Sequence, residues 1–284
     1  MKRWWDAWTA LPGAAKAGLL LTAGVLLLAL LGPSLRPFDP TAIDLSVRLE
    51  PPSLEHWFGT DELGRDLFAR IAYGARYSLL AAICVVASSV VIGCIAGGLS
   101  AMAPGWVDWC AMRLVDMLLS VPTLVLAMAL AAALGPGLVN AIIALIIARI
   151  PTFVRLGRNQ ALVLRRQAYV EAARLYGAPT SYLVRRHLVP NIAPVAMVQG
   201  VSDVGGVILA CAALGFIGLG AQPPTPEWGA LAASGRLFFL DCWWYAAFPG
   251  LAIASATVGF NLLGDAARDY LDPHRRALQI PSVA

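Results

Sequence analysis

Residues able to make and break bonds are few in this chain, and they are scattered. The three histidines, His56, His187 and His274, lie far apart, and neither HExxH nor GxSxG occurs. No nucleophile or metal set for an intramembrane hydrolase is therefore visible. A phosphate-binding loop of the G-x-x-x-x-G-K-[ST] kind needs a lysine directly before Ser or Thr. The only lysines are Lys2, followed by Arg3, and Lys16, followed by Ala17, so the chain has no Walker-type ATP site. GFIGLG at residues 215–220 has its glycines in the wrong order for a dinucleotide fingerprint; at the end of an apolar run it reads as close helix packing. The five cysteines (Cys84, Cys94, Cys110, Cys211, Cys242) show no CxxC spacing and read as small buried hydrophobes. The expectation is a non-enzymatic chain without its own cofactor or metal.

Ionisable residues inside apolar runs are the default candidates for a transport pathway. Here they are Asp116, Arg149 and Asp203. Asp203 lies in VQGVSDVGG, where small neighbours leave room around a carboxylate that could meet the charged amine of a peptide. It could equally pair with an arginine, Arg149 among them, or sit at the cytoplasmic interface. Arg149 could also snorkel towards the headgroups. Arg113 and Asp116, three apart on one helix face, read as a local pair at the inner interface.

A second kind of chemistry, recognition, is written in residues 171–191, EAARLYGAPTSYLVRRHLVPN. The stretch holds Arg174, Arg185 and Arg186, with Arg155, Arg158, Arg165 and Arg166 just upstream, and its only acid is Glu171. Residues 168–176 are good helix formers, with Ala172, Leu175 and Tyr176 giving an apolar side. Gly177 stands where a helix end needs a left-handed residue. Pro179 suits the first turn of a following helix, which carries Tyr182, Leu183 and Val184 and is expected to end near Pro190. Small Ala172 and Ala173 would let another protein approach closely. On physics alone, a solvated linker hugging the membrane fits as well as a docking element.

The elements that hold these residues are membrane spans. The chain has 284 residues, 59% hydrophobic and 13% charged, with a mean hydropathy of +0.70. So little charge points to a chain whose solvent is lipid. The formal net charge of +4 is small, and the arginines flank apolar runs, so a positive-inside bias accounts for them and nucleic-acid binding is not expected. Apolar runs cover residues 17–35, 78–103, 111–134, 138–154, 194–219 and 244–263, each meeting or nearly meeting the ~20 residues needed to cross a bilayer. The fourth is the shortest and is interrupted by Arg149 and Pro151. A cleaved signal peptide would share the basic start and the leucine-rich first run. That run exceeds the ~7–15 residues of a signal core, however, and further spans follow. Six spans with an inside N-terminus put the arginine-rich loop and the C-terminal tail inside as well. The polar stretch 36–76 then lies outside: its first half is turned by Pro37, Pro40, Pro51 and Pro52, and residues 61–77 have the spacing of a surface-lying lead-in helix. Residues 222–240 are outside too, where Pro223, Pro224 and Pro226 forbid a continuous helix.

The motifs also carry a resemblance. E-A-A at 171–173, three residues, Gly177, and Pro190 thirteen residues later resemble the EAA motif of importer-type ABC permeases. His187 and Val189 depart from the general Ile-x-Leu-Pro ending, while H-x-x-P-N is the variant of the dipeptide/oligopeptide/nickel group. HWFGTDELGRDLFARIAYGARYSL at 56–79 looks like that group's N-terminal signature, and LGFIGLGAQPPTPEWGALAASGR at 214–236 and FNLLGDAARDYLDPH at 260–274 match its C-terminal half.

The resemblance implies an all-α permease of the type I importer fold with six spans and cytoplasmic termini, in a bacterial inner membrane. Its parts would be an N-terminal region at 1–76, a permease domain at 77–272 with the coupling loop at about 168–191, and a tail at 273–284. By position, Glu171, Ala172, Ala173, Gly177, His187, Pro190 and Asn191 become the ATPase-coupling residues. The implied partners are a homologous second permease, two ATPase subunits that bind the ATP, an extracytoplasmic solute-binding protein and membrane lipid. The external region of Trp57 and Asp61–Asp66 would lie near the binding protein or simply pack the lead-in helix. The implied cargo is a dipeptide or short oligopeptide. A glutathione or nickel-chelate importer is the alternative; the lack of a His/Cys cluster tilts towards peptide. An ion-coupled secondary transporter would need no such loop.

Overall fold

The computed structural model describes residues 12–271. The expected N-terminal start with Lys2 and Arg3, and the tail with His274, Arg275 and Arg276, lie outside those residues. Among the described residues, besides 3-10 turns at Leu45–Val47 and Arg236–Phe238, nine helices follow one another: α1 Gly13–Leu35, α2 Leu67–Met102, α3 Gly105–Ser120, α4 Thr123–Leu134, α5 Leu138–Leu164, α6 Ala168–Leu175, α7 Thr180–Phe216, α8 Trp228–Gly235 and α9 Trp243–Leu271. Among the described residues there is no strand, only an isolated bridge between Thr60 and Asp66.

Five of these helices are long and apolar enough to cross a membrane, and α3 with α4, bent by 92°, make a sixth if the pair counts as one span. The third span, expected as one continuous helix at 111–134, is instead two helices joined at Val121–Pro122. Val121 precedes Pro122 and is extended, with φ −89° and ψ 132°; the proline ring disfavours a helical conformation in the residue before it.

Three other boundaries move. The second span begins eleven residues before the expected 78, because 61–66 is a tight turn rather than a surface helix. Asp66 then caps α2, accepting the Ala69 N–H at 2.7 Å. The fourth span is not interrupted: α5 runs through Arg149 and Pro151 for 27 residues. A proline in a helix interior leaves the carbonyl four residues earlier, here that of Ile147, without its N–H donor, yet α5 continues past Pro151 to Leu164. The helix after Pro179 does not end near Pro190. It passes through a π turn at Val184–Leu188 and continues to Phe216. The wide turn immediately precedes Pro190, whose missing N–H would break a regular α ladder.

The chain forms two compact units. One holds the described residues up to Ala82 and from Val201 onward; the other is Ile83–Gly200. In the first, α1 packs on α9, and α9 on α8. Its segment between α1 and α2 is tied by buried charges: Asp61 accepts from Arg65 Nε at 2.6 Å, and His56 Nδ1 lies 2.9 Å from Asp66 Oδ2. Glu227 caps α8, accepting from Ala230 N at 3.0 Å and from Ser78 Oγ at 3.2 Å. Trp228 Nε1 donates to the Ile71 carbonyl at 2.9 Å. In the second unit, α2 and α5 meet backbone to backbone: a Cβ on Gly157 would lie 2.7 Å from Cys94 Cα, and one on Gly97 would lie 2.2 Å from the Val154 carbonyl oxygen. Close approach at small residues replaces hydrophobic drive between helices in lipid.

Candidate functional site: the loop between α5 and α7

The loop hangs on the end of α5, and its basic residues divide into two groups. Three arginines of the stem are internal ties. Arg158 grips Asp108 through Nε at 2.7 Å and Nη2 at 2.5 Å, and Ser100 Oγ donates to the same carboxylate at 2.7 Å. Arg165 Nη1 donates to the Ala101 carbonyl at 2.7 Å. Arg155 Nη2 meets Asp116 Oδ1 at 2.5 Å, both side chains about half exposed. Asp116 is therefore paired across helices, not with Arg113 as its spacing suggests; Arg113 lies over the Trp109 ring at 5.3 Å. That pairing also weakens Asp116 as a pathway residue. Arg166, Arg174, Arg185 and Arg186 are exposed.

Beyond the stem, α6 spans Ala168–Leu175, close to the expected 168–176. Glu171 stands in its first turn, where a carboxylate complements the helix dipole. Gly177 has φ +80°. The Ala178 N–H donates to the Ala173 carbonyl at 3.1 Å and the Gly177 N–H to the Arg174 carbonyl at 3.0 Å. Those two bonds make a complete Schellman cap. Val170 is buried, while Glu171 and Ala172 are exposed and Ala173 is half-buried. Leu175 and Tyr176, part of the expected apolar side, face outward: they are 83% and 92% exposed. The signal that could have placed them is the glycine cap itself, since the left-handed turn after Tyr176 ends the helix and leaves its last residues at the tip.

The second arm is anchored inward. Leu183, Val184, Leu188 and Ile192 are buried; Val184, Leu188 and Ile192 share a core with Cys94, Ala101, Phe153 and Ala161 of α2 and α5. His187 is held between two tyrosines, 5.6 Å from Tyr169 on α6 and 5.7 Å from Tyr182 on α7. Asn191 Nδ2 donates to the His187 carbonyl at 2.6 Å. His187 thus braces the two arms, whereas Glu171, Ala172, Pro190 and Asn191 are on the surface. Sequence reasoning did not find the tyrosine pair.

Arg149 on α5 and Asp203 on α7 are half-buried in their helices. GFIGLG is a helix end rather than a nucleotide loop: Leu219 N donates to the Leu214 carbonyl at 2.9 Å, and a Cβ on Gly215 would lie 2.4 Å from Glu227 Oε2. In the segment between α1 and α2, Asp61, Arg65 and Asp66 are buried and serve packing, which removes them from any binding surface; Trp57 is exposed under the Arg36 guanidinium at 4.7 Å. Among the described residues no group of three or more His, Cys, Asp or Glu could hold a metal ion.

A broken span, long apolar helices and an arginine-rich loop with a capped, protruding helix define a multi-pass membrane transport subunit. The family described as binding-protein-dependent transport system inner membrane component matches residues 89–277, and the chain belongs to it as an ABC importer permease of the inner membrane. The chain is 54% identical, over 88% of its length and 84% of the relative, to the probable D,D-dipeptide transport system permease protein DdpC of Escherichia coli (strain K12). It is 39% identical, over 93% and 86%, to the dipeptide transport system permease protein DppC of Alkalihalophilus pseudofirmus. Identity is 44%, over 78% and 73%, to the glutathione transport system permease protein GsiD of Escherichia coli O1:K1 / APEC.

Proposed function

We propose that the chain forms half of the translocation pathway of an ATP-driven importer for dipeptides or short oligopeptides. The loop between α5 and α7 is its transmission element. The geometry that carries this reading is the contrast between the two arms. One presents a capped helix with Leu175 and Tyr176 outward, and the other ends in the core between α2 and α5. A push on the tip is thereby delivered to packed helices, not absorbed by a slack linker. In this scheme the termini and the loop are cytoplasmic. Two ATPase subunits bind the ATP and receive α6. A homologous permease completes the pathway, and an extracytoplasmic binding protein delivers the peptide. Glu171, Ala172, Ala173, Gly177, Pro190 and Asn191 belong to the docking surface, with His187 as its internal brace. ATP closes the ATPase pair, the docked loops move with it, and the bundles rock between inward- and outward-facing states. The chain itself makes and breaks no bonds and needs no cofactor. Asp203 and Arg149 remain the pathway candidates.

The substrate class follows the names of the relatives, dipeptide first. Glutathione, itself a short peptide, is the second reading because of the 44% identical relative; no observation favours a nickel chelate. The test is reconstitution with the ATPases and the binding protein. Peptide-stimulated ATP hydrolysis and uptake are expected, with both lost in Glu171 and Gly177 variants. Normal uptake without any ATPase would sink the mechanism. A binding protein that takes glutathione but not dipeptides would move the substrate to the second reading.

A further inference from the structure

Between α8 and α9, residues 236–243, RLFFLDCW, make a tight turn. Its side chains are sorted by direction. Phe238 stacks on Tyr245 with ring centroids 6.1 Å apart, Cys242 is buried, and the Cys242 N–H donates to the Phe238 carbonyl at 2.7 Å. Leu237, Phe239, Leu240 and Trp243 point the other way and are 76%, 54%, 97% and 53% exposed. The turn is therefore a fixed knob of four large apolar side chains.

We propose that this knob is a membrane anchor: Leu237, Phe239, Leu240 and Trp243 insert into the headgroup–acyl boundary of the phospholipid bilayer beside the head of α9. Two observations choose lipid over a protein. First, Trp243 opens α9, and the exposed Leu251 and Val258 continue from it along one face of that membrane-length helix, since spacings of eight and seven residues keep a helical face. The knob is the end of an exposed apolar stripe on a membrane-length helix, and tryptophan is at home at the membrane–water interface. Second, four such side chains offer on the order of 400 Å², well below the ~800 Å² per partner of a stable protein interface. The flanking charges suit headgroup level: Asp241 is exposed, and the Arg236 guanidinium is parked over the Phe216 ring at 5.0 Å. That the leaflet is the extracytoplasmic one rests on the topology proposed above.

The test uses the assembled transporter in phosphatidylethanolamine/phosphatidylglycerol vesicles, with the exposed Cys84 and Cys110 replaced by alanine. An environment-sensitive fluorophore is attached to Leu240→Cys, or to Glu55→Cys as a water-exposed control. At position 240, lipids with a shallow doxyl group are expected to quench at least twofold more than lipids with the doxyl at the chain end, and aqueous iodide is expected to be without effect. Quenching by iodide but not by doxyl lipid would overturn the anchor. So would silence towards both quenchers, which would mean a protein covers the knob. The topology is read separately: external iodide should quench the label at position 55, and protection there would reverse the sidedness while leaving the anchor standing.

Discussion

Replacing Gly177 by alanine isolates one physical quantity, the cost of a left-handed residue at the end of α6. Gly177 has φ +80°, and a Cβ built on it meets nothing within 4 Å. Packing is thus not at stake, and the cost is conformational. For an L-residue it is about 1–2 kcal/mol. If the backbone relaxes instead, the two cap bonds to the Ala173 and Arg174 carbonyls are lost at roughly 0.5–1.5 kcal/mol each. Either route lowers the population of the capped loop about tenfold, because ~1.4 kcal/mol is a factor of ten. The assay is ATP hydrolysis stimulated by the loaded binding protein in reconstituted transporter, compared across Gly177, Gly177→Asn, Gly177→Ala and Gly177→Val. Stimulation should fall in that order, since asparagine tolerates the left-handed region and a β-branched residue tolerates it least. The midpoint of thermal unfolding should move little, because the tip has no core contacts. Equal stimulation in Gly, Ala and Val would refute the reasoning, as would a large loss of thermal stability with Ala.

Leu175→Ala and Tyr176→Ala should each weaken ATPase co-purification by about tenfold or more, at the ~1–2 kcal/mol scale of an interface hot spot, while leaving the monomer's unfolding unchanged. Gly157→Ala places a Cβ 2.7 Å from Cys94 Cα and should cost about 1–3 kcal/mol, read as a lower melting temperature in detergent. Arg158→Met leaves Asp108 without its bidentate partner. It should destabilise the protein more than Arg158→Met with Asp108→Leu, since a stranded charge costs more than an apolar pair; a double-mutant cycle checks it. Burial pushes the Glu227 carboxyl up from its ordinary 4.5, against the hydrogen bonds from Gly229, Ala230 and Ser78. A raised acid binds its proton better when folded, so its contribution to stability is full below the unfolded value and is lost as pH rises through the folded one. Hydrogen exchange across residues 226–235 should therefore quicken as pH climbs out of the acidic range, relative to intrinsic rates, and Glu227→Gln should flatten that extra slope.

The sequence alone determined the all-helical, membrane-spanning character and the cap at Gly177. These depend on local quantities: apolar run length, absent lysine motifs, and the left-handed preference of one glycine. It also carried the family, in long motifs strung in order. Pro122 was visible as a residue, but whether a proline breaks a span or is absorbed was not. The chain bends by 92° at Pro122, whereas α5 runs through Pro151 and a π turn carries the chain past Pro190. The residue type is the same in each case, so the outcome is set by its surroundings, and that is a tertiary fact. Charge partners were likewise out of reach of spacing. Asp116 faces Arg155 and Asp108 faces Arg158 across some forty to fifty residues of chain, so an arginine cluster that reads as one basic patch separates into ties and a free rim. Direction was decided only by packing as well. Leu175 and Tyr176 read in the sequence only as an apolar side, and they stand exposed at the tip while Val170 and the Leu183–Ile192 arm occupy the buried side.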